Sequence, residues 1–167
     1  MAHFSVRWIY ELDADYEFNV RKYLASEITQ AMSFRDRTGS ERLVIYPDGR
    51  ALIRAHYAWD GCTPKFAVFD IAFGTPDGVP NERTRKPKTY YASLVHDVLY
   101  QFIDVHLPIA RRDADEAFFD LLVRDSFAPR YLYWAAVRLF GGLSRRITRR
   151  KRRYAGRRVL LTDGQRD

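Results

Sequence analysis

The sequence predicts an α+β fold in which a small N-terminal antiparallel β layer precedes a unit of three helices. Aromatic and β-branched residues cluster in short segments over the first half of the chain, as is typical of strands. From Thr89 onward, apolar residues recur at three- and four-residue spacing, which indicates helices. The chain has 167 residues, of which 47% are hydrophobic, and this is enough to bury one core. We therefore expect a single α+β domain over residues 1–144.

The β layer is expected over about residues 1–73. Its clearest part is a hairpin with strands at 43–46 and 50–57, joined by the turn sequence Pro47-Asp48-Gly49. Further strands are predicted at residues 4–10, 16–21 and 65–73. Residues 74–89 are rich in Gly, Pro and basic residues, so we expect them to form a long loop.

The helical core is expected over about residues 89–143. The apolar positions of the first helix are Leu94, Val95, Val98, Leu99, Phe102 and Ile103. A second helix is predicted over about residues 109–123. A third is predicted from about Pro129, which suits a first helical turn, and it is expected to stop at Gly141-Gly142.

The positive charge of the chain is concentrated at its C-terminus. Residues 145–167 hold ten Lys/Arg and two Asp, whereas residues 1–144 hold eighteen Lys/Arg and nineteen Asp/Glu. The body is therefore nearly neutral, and the segment 145–167 is expected to be a basic, flexible tail. Such a tail suits partners that carry phosphate, either an anionic membrane surface or a nucleic acid.

The single cysteine, Cys62, excludes an intrachain disulfide and suits a reducing compartment. The N-terminus has acidic residues where a signal peptide needs an apolar run. No stretch reaches the roughly 20 apolar residues of a membrane span. We therefore expect a chain that is cytoplasmic when made.

Three short sequences hold the residue types of a hydrolytic site. They are Trp59-Asp60-Gly61-Cys62-Thr63-Pro64, Ser93-Leu94-Val95-His96-Asp97-Val98-Leu99-Tyr100 and Asp113-Ala114-Asp115-Glu116-Ala117-Phe118-Phe119. On a helix, His96 and Tyr100 share a face, while Asp97 points about 100° away from His96. A carboxylate from the next helix, Asp115 or its rival Asp113, would orient the imidazole of such a base.

The loop adds oxygen atoms to this set. Asp60 supplies a second carboxylate, and Gly61 supplies a backbone carbonyl on a flexible residue. Mixed carboxylate and carbonyl ligands from a loop and a helix suit Ca²⁺, which is a hard cation.

These three sequences resemble the phospholipase A2 superfamily, in particular its small bacterial and fungal secreted branch. That branch carries a loop of the form W-x-x-D-x-C-T, a helix motif H-D-x-x-Y and a later D-x-A-F. The matching residues here are Trp59-Asp60-Gly61-Cys62-Thr63, His96-Asp97-Val98-Leu99-Tyr100 and Asp115-Glu116-Ala117-Phe118. A fourth likeness covers residues 133–141, so the resemblance extends over about residues 57–142 and leaves residues 1–56 without a counterpart.

The resemblance implies a phospholipase A2-like helical core and Ca²⁺-dependent hydrolysis of phospholipid esters. His96 would activate the water that attacks the sn-2 ester, with Asp115 and Tyr100 completing the catalytic set. Asp60, Gly61 and Asp97 would bind the metal. Since the cytoplasm holds little Ca²⁺, an active enzyme would need delivery to another compartment or a different divalent metal.

The chain departs from that branch at one cysteine. The branch has a cysteine three residues before the His, and it pairs with the loop cysteine; here the position is Ser93, which leaves Cys62 unpaired. Residues 66–88 also lengthen the segment between loop and helix.

Three alternatives remain open. The DG loop and the HDxxY helix also resemble a family of phage and bacterial proteins of unassigned function, which predicts a catalytically inactive or repurposed structural or interaction protein of the phage type. The Arg-rich tail alone predicts a nucleic-acid binder. The order His56, His96-Asp97, Asp115 resembles that of metal-dependent phosphohydrolases, although His56 is expected on a strand.

Overall fold

The computed structural model of the protein describes residues 10–59, 61 and 80–148, together with the strand residues 67–68, 71–72 and 157–160. The predicted ligand Asp60, the cysteine Cys62 and most of the strand predicted at residues 4–10 lie outside the described residues.

A five-stranded antiparallel sheet forms the β layer. In spatial order its strands are β2 (Tyr16–Asn19), β5 (Arg50–Ile53), β4 (Glu41–Ile45), β3 (Met32–Arg35) and β9 (Arg157–Leu160). Two short antiparallel ribbons accompany it, one of β1 (Tyr10–Glu11) with β6 (Ala58–Trp59) and one of β7 (Ala67–Val68) with β8 (Ile71–Ala72).

The predicted hairpin is confirmed as β4–β5. Leu43 pairs with Ile53 and Ile45 with Ala51. The turn needs Gly49, whose φ is +84°, a conformation that L side chains rarely adopt. A Cβ atom at this position would also lie 2.5 Å from Cβ of Arg21, so both the backbone and the packing require glycine.

Two strand predictions need correction, and two strands of the sheet were not predicted. The strand predicted at 65–73 is replaced by the β7–β8 ribbon, in which Val68 pairs with Ile71. The strand predicted at 50–57 ends at Ile53. Strands β3 and β9 were not predicted at all, and they pair with each other in the register Met32↔Leu160. Short strands of this kind form because of non-local partners, so the local sequence carries little signal for them.

The three predicted helices are confirmed as α1 (Tyr90–Phe102), α2 (Arg111–Arg124) and α3 (Arg130–Thr148). The predicted stop at Gly141-Gly142 is wrong, because α3 continues through both glycines to Thr148. A glycine within a helix costs only about 1 kcal/mol relative to alanine, so two of them weaken a helix without having to end it.

The main core lies between the sheet and α1. Leu94, Val98 and Leu99 of α1 are buried in one cluster with the inward side chains of β3, β4 and β5, and the ring of Phe34 lies 5.5 Å from that of Phe102. A second cluster joins α2 and α3 through Phe118. Among the described residues, no helix is long and apolar enough to cross a membrane.

Candidate active site

Helix α1 presents His96 to α2, where a buried carboxylate meets it. His96 Nε2 lies 3.1 Å from Asp115 Oδ1, and the hydroxyl of Tyr100 donates a hydrogen bond to the same oxygen. The side chains of His96 and Asp115 are 12% and 3% exposed. His96 and Tyr100 are four residues apart and were predicted to share one face of α1. This face is the one that contacts Asp115.

The charge state of Asp115 fixes the direction of these hydrogen bonds. Burial acts to raise the pKa of Asp115, but hydrogen bonds from His96 and Tyr100 outweigh it, so the pKa lies below its usual value of 3.8. Burial, together with the bond to Asp115, raises the pKa of Tyr100, which keeps its hydroxyl protonated. An ionised Asp115 can only accept, so Nε2 of His96 donates to it, and in the neutral imidazole Nδ1 is then the acceptor nitrogen.

Two arginines complete this network, and neither was predicted. Arg111 Nε donates to the hydroxyl oxygen of Tyr100 at 2.8 Å. Arg138 of α3 places a guanidinium nitrogen 3.6 Å from Asp115 Oδ2. Arg138 was visible in the sequence as a charged residue within an otherwise apolar stretch, but its partner depends on how α3 packs against α2.

Aromatic rings hold the imidazole in place. The ring of His96 lies 4.1 Å from that of Tyr100 and 5.1 Å from that of Phe118. Phe118 follows Asp115 by three residues, so both project from the same face of α2 toward His96. The D-x-A-F sequence thus supplies the hydrogen-bond acceptor and the packing surface together.

A second face of α1 contacts residues 57–59, which directly precede the Asp60-Gly61 loop. Ser93, Asp97 and Gln101 are four residues apart and share this face. Trp59 Nε1 donates to Ser93 Oγ at 3.0 Å, and the hydroxyl of Tyr57 donates to Gln101 Oε1 at 2.8 Å.

Asp97 lies on α1 between Ser93 and Gln101, and its negative charge affects the pKa of Tyr57. Burial is the main reason that the pKa of Tyr57 is raised well above its usual value, and the negative charge of Asp97 raises it further. Asp97 therefore faces the segment just before the Asp60-Gly61 sequence.

Of the predicted metal ligands, Asp97 and Gly61 are among the described residues. Asp97 is 38% exposed, and its Oδ1 lies 4.0 Å from His96 Nδ1, so a carboxylate adjoins the acceptor nitrogen of the base. Gly61 has a φ of +73°, as expected of a glycine in a tight loop. Within the described residues no group of three His, Cys, Asp or Glu side chains forms a metal site, and the predicted third side chain, Asp60, lies outside them.

Two alternatives for the site were His56 as a further metal ligand and Asp113 as the partner of His96. His56 lies in the turn after β5, not on a strand, and pairs with Glu11 at 2.7 Å. Its side chain is 78% exposed. Of the two candidate carboxylates on α2, it is Asp115 that hydrogen-bonds His96.

The comparisons with known proteins leave the family open. No protein-family model matches the chain, and neither a curated protein nor a solved structure matches it. The likeness to phospholipase A2 is therefore carried by the ordered motifs and remains a prediction.

Proposed function

We propose that this protein is a phospholipase A2-like hydrolase of phospholipid ester bonds. The observation that carries the proposal is the buried contact of His96 with Asp115, to which Tyr100 also donates. A histidine whose Nε2 is held by an ionised carboxylate is poised to accept a proton on Nδ1. Two of the three sequences build this contact, and together with the loop sequence at residues 59–64 they resemble phospholipase A2 in their order.

In the proposed reaction, His96 Nδ1 takes a proton from water as that water attacks the sn-2 ester carbonyl. Asp115 stabilises the imidazolium that results, and Tyr100 keeps Asp115 in position. When the tetrahedral intermediate collapses, the imidazolium returns the proton to the departing alkoxide. The products are a fatty acid and a lysophospholipid, and no covalent intermediate with the protein forms.

Asp97, Gly61 and Asp60 are the residues proposed to hold Ca²⁺, on the basis of the partly exposed Asp97 carboxylate beside His96 Nδ1. When bound, this ion would polarise the ester carbonyl and balance the charge of the oxyanion. Another divalent metal with a preference for oxygen ligands remains an alternative.

The test is fatty-acid release from mixed anionic and zwitterionic vesicles, with Ca²⁺ or with EDTA. We expect release by the wild type with Ca²⁺ and a loss of about 100-fold or more in His96→Ala, because general-base catalysis contributes about that much.

His56→Asn is the matched control, because His56 is exposed and asparagine tolerates its positive φ. This variant should keep full activity. If the folded wild-type protein releases no fatty acid at millimolar Ca²⁺, the proposal is wrong, and the idle phage-type scaffold becomes the better hypothesis.

A further inference from the structure

A groove of about 350 Å³ lies between α2 and α3. The side chains that line it are Arg112, Glu116, Phe119, Tyr131, Trp134 and Arg138. Three are aromatic, two are cationic and one is anionic. The proposed hydrolysis assigns no role to this groove.

The aromatic rings form a continuous group at the surface. The ring of Phe119 lies 5.3 Å from that of Tyr131 and 5.9 Å from that of Trp134. Tyr131 is 63% exposed and Trp134 is 37% exposed, so both rings are partly accessible to solvent. Glu116, which pairs with Lys22 at 3.0 Å, adds a half-exposed carboxylate. Aromatic faces beside a carboxylate favour a large, weakly hydrated cation such as a quaternary ammonium group.

The two arginines favour an anion in the same groove. Arg112 lies in the first turn of α2, where the helix dipole also favours negative charge. Arg138 lies 5.6 Å from the centre of the Trp134 ring and 3.6 Å from Asp115 Oδ2. A guanidinium group is well suited to phosphate because its nitrogen atoms match two phosphate oxygens.

We propose that this groove binds the headgroup of a choline phospholipid at a lipid surface. The quaternary ammonium group would contact Phe119, Tyr131 and Trp134, while the phosphate would pair with Arg112 and Arg138. That the bound headgroup belongs to a lipid, and not to a free phosphocholine compound, rests on the proposed function. The chemistry of the groove itself selects a methylated cation linked to a phosphate.

The experiment measures binding to vesicles of phosphatidylcholine or phosphatidylethanolamine by co-sedimentation. EDTA is present throughout, so that no hydrolysis is expected. Both lipids carry no net charge and share the phosphate, so they differ at the ammonium methyl groups alone. We expect tighter binding to phosphatidylcholine, and a loss of about tenfold in Tyr131→Ala and Trp134→Ala, whereas Trp134→Phe keeps a ring and most of the affinity.

Leu132→Ala is the matched control, since Leu132 is 66% exposed on the same helix but does not line the groove. It should bind as the wild type does. The inference would be wrong if the protein bound the two lipids equally, or if Leu132→Ala lost as much affinity as Tyr131→Ala and Trp134→Ala. Either result would show that α3 makes unspecific apolar contact with the vesicles. Binding of soluble glycerophosphocholine without binding of phosphatidylcholine vesicles would show that the ligand is not a lipid at a membrane surface.

The result can be separated from that of the proposed hydrolysis. His96→Ala should bind phosphatidylcholine vesicles as well as the wild type, because His96 does not line the groove. Headgroup-selective binding without fatty-acid release would contradict the proposed function alone. Fatty-acid release without headgroup preference would contradict this inference alone.

Discussion

At the scale of single residues, Asp115 organises the site. One of its oxygen atoms accepts hydrogen bonds from His96 and Tyr100, and the other faces Arg138. A buried carboxylate with these partners stays ionised, whereas an unpaired one would take up a proton. The same contacts that position the imidazole therefore also keep Asp115 charged.

Replacing this carboxylate should affect both activity and stability. Asp115→Asn should reduce fatty-acid release by at least about 100-fold, because an amide cannot stabilise the imidazolium. It should also lower the free energy of unfolding near neutral pH by about 1–3 kcal/mol, since His96 and Tyr100 lose a charged acceptor and keep only a neutral amide oxygen. Urea denaturation and the vesicle assay measure the two effects.

The stability difference should depend on pH in a defined direction. The pKa of Asp115 is lower in the folded chain than its usual value of 3.8. Ionised Asp115 therefore stabilises the fold above about pH 4, and this contribution is lost as the pH falls through the folded-state pKa. The gap between wild type and Asp115→Asn should narrow in that acid range. A gap that widens there would contradict the assignment.

Tyr100 should have a smaller, separable effect. Tyr100→Phe keeps the ring beside His96 but removes the donor to Asp115 and the acceptor for Arg111. We expect a cost of about 1–2 kcal/mol in unfolding free energy, and a several-fold loss of activity. Tyr91→Phe, on the same helix, is the control for loss of a hydroxyl group and should leave activity unchanged.

At the scale of elements, α1 uses two adjacent faces for two tasks. His96 and Tyr100 face α2, while Ser93, Asp97 and Gln101 face the segment at residues 57–59. The hydrogen bond from Trp59 to Ser93 attaches that segment to α1. A buried hydrogen bond thus ties the start of the loop to the helix in a chain with one cysteine.

This attachment predicts a stability effect. Trp59 and Ser93 are 1% and 2% exposed, so Ser93→Ala would leave the indole N–H buried without its partner. We expect a loss of about 1–3 kcal/mol in unfolding free energy by urea denaturation. Ser40→Ala, at an exposed serine, should change stability by less than about 0.5 kcal/mol. A neutral Ser93→Ala would mean that the indole finds another acceptor.

At the scale of the whole molecule, the C-terminal strand returns to the sheet. Strand β9 pairs with β3, although residues 145–167 read as a basic tail in the sequence. The pairing covers the edge of β3 that β4 leaves open, and an uncovered edge would invite association with other chains.

Hydrogen exchange can test this pairing. Val159→Pro removes a backbone donor opposite Ser33. We expect faster exchange of the β3 amides that face β9, and unchanged exchange in β5, which lies between β2 and β4. Unchanged exchange throughout β3 would show that β9 does not protect this edge in solution.

The sequence by itself determined the order of the layers, the hairpin at Gly49, the three helices and the identity of His96, Asp97, Tyr100 and Asp115 as candidates. These features depend on local periodicity, turn chemistry and ordered motifs. The role of Asp60 as a metal ligand and the partner of the Arg-rich tail remain predictions.

Only the tertiary structure decided which groups meet. It selected Asp115 as the partner of His96, brought Arg111 and Arg138 to the same network, and placed β9 beside β3. It also carried α3 through two glycines at which the sequence predicted a stop. The physical reason is that ion pairs, strand pairing and helix packing join residues far apart in the chain, and their free energies override weak local preferences.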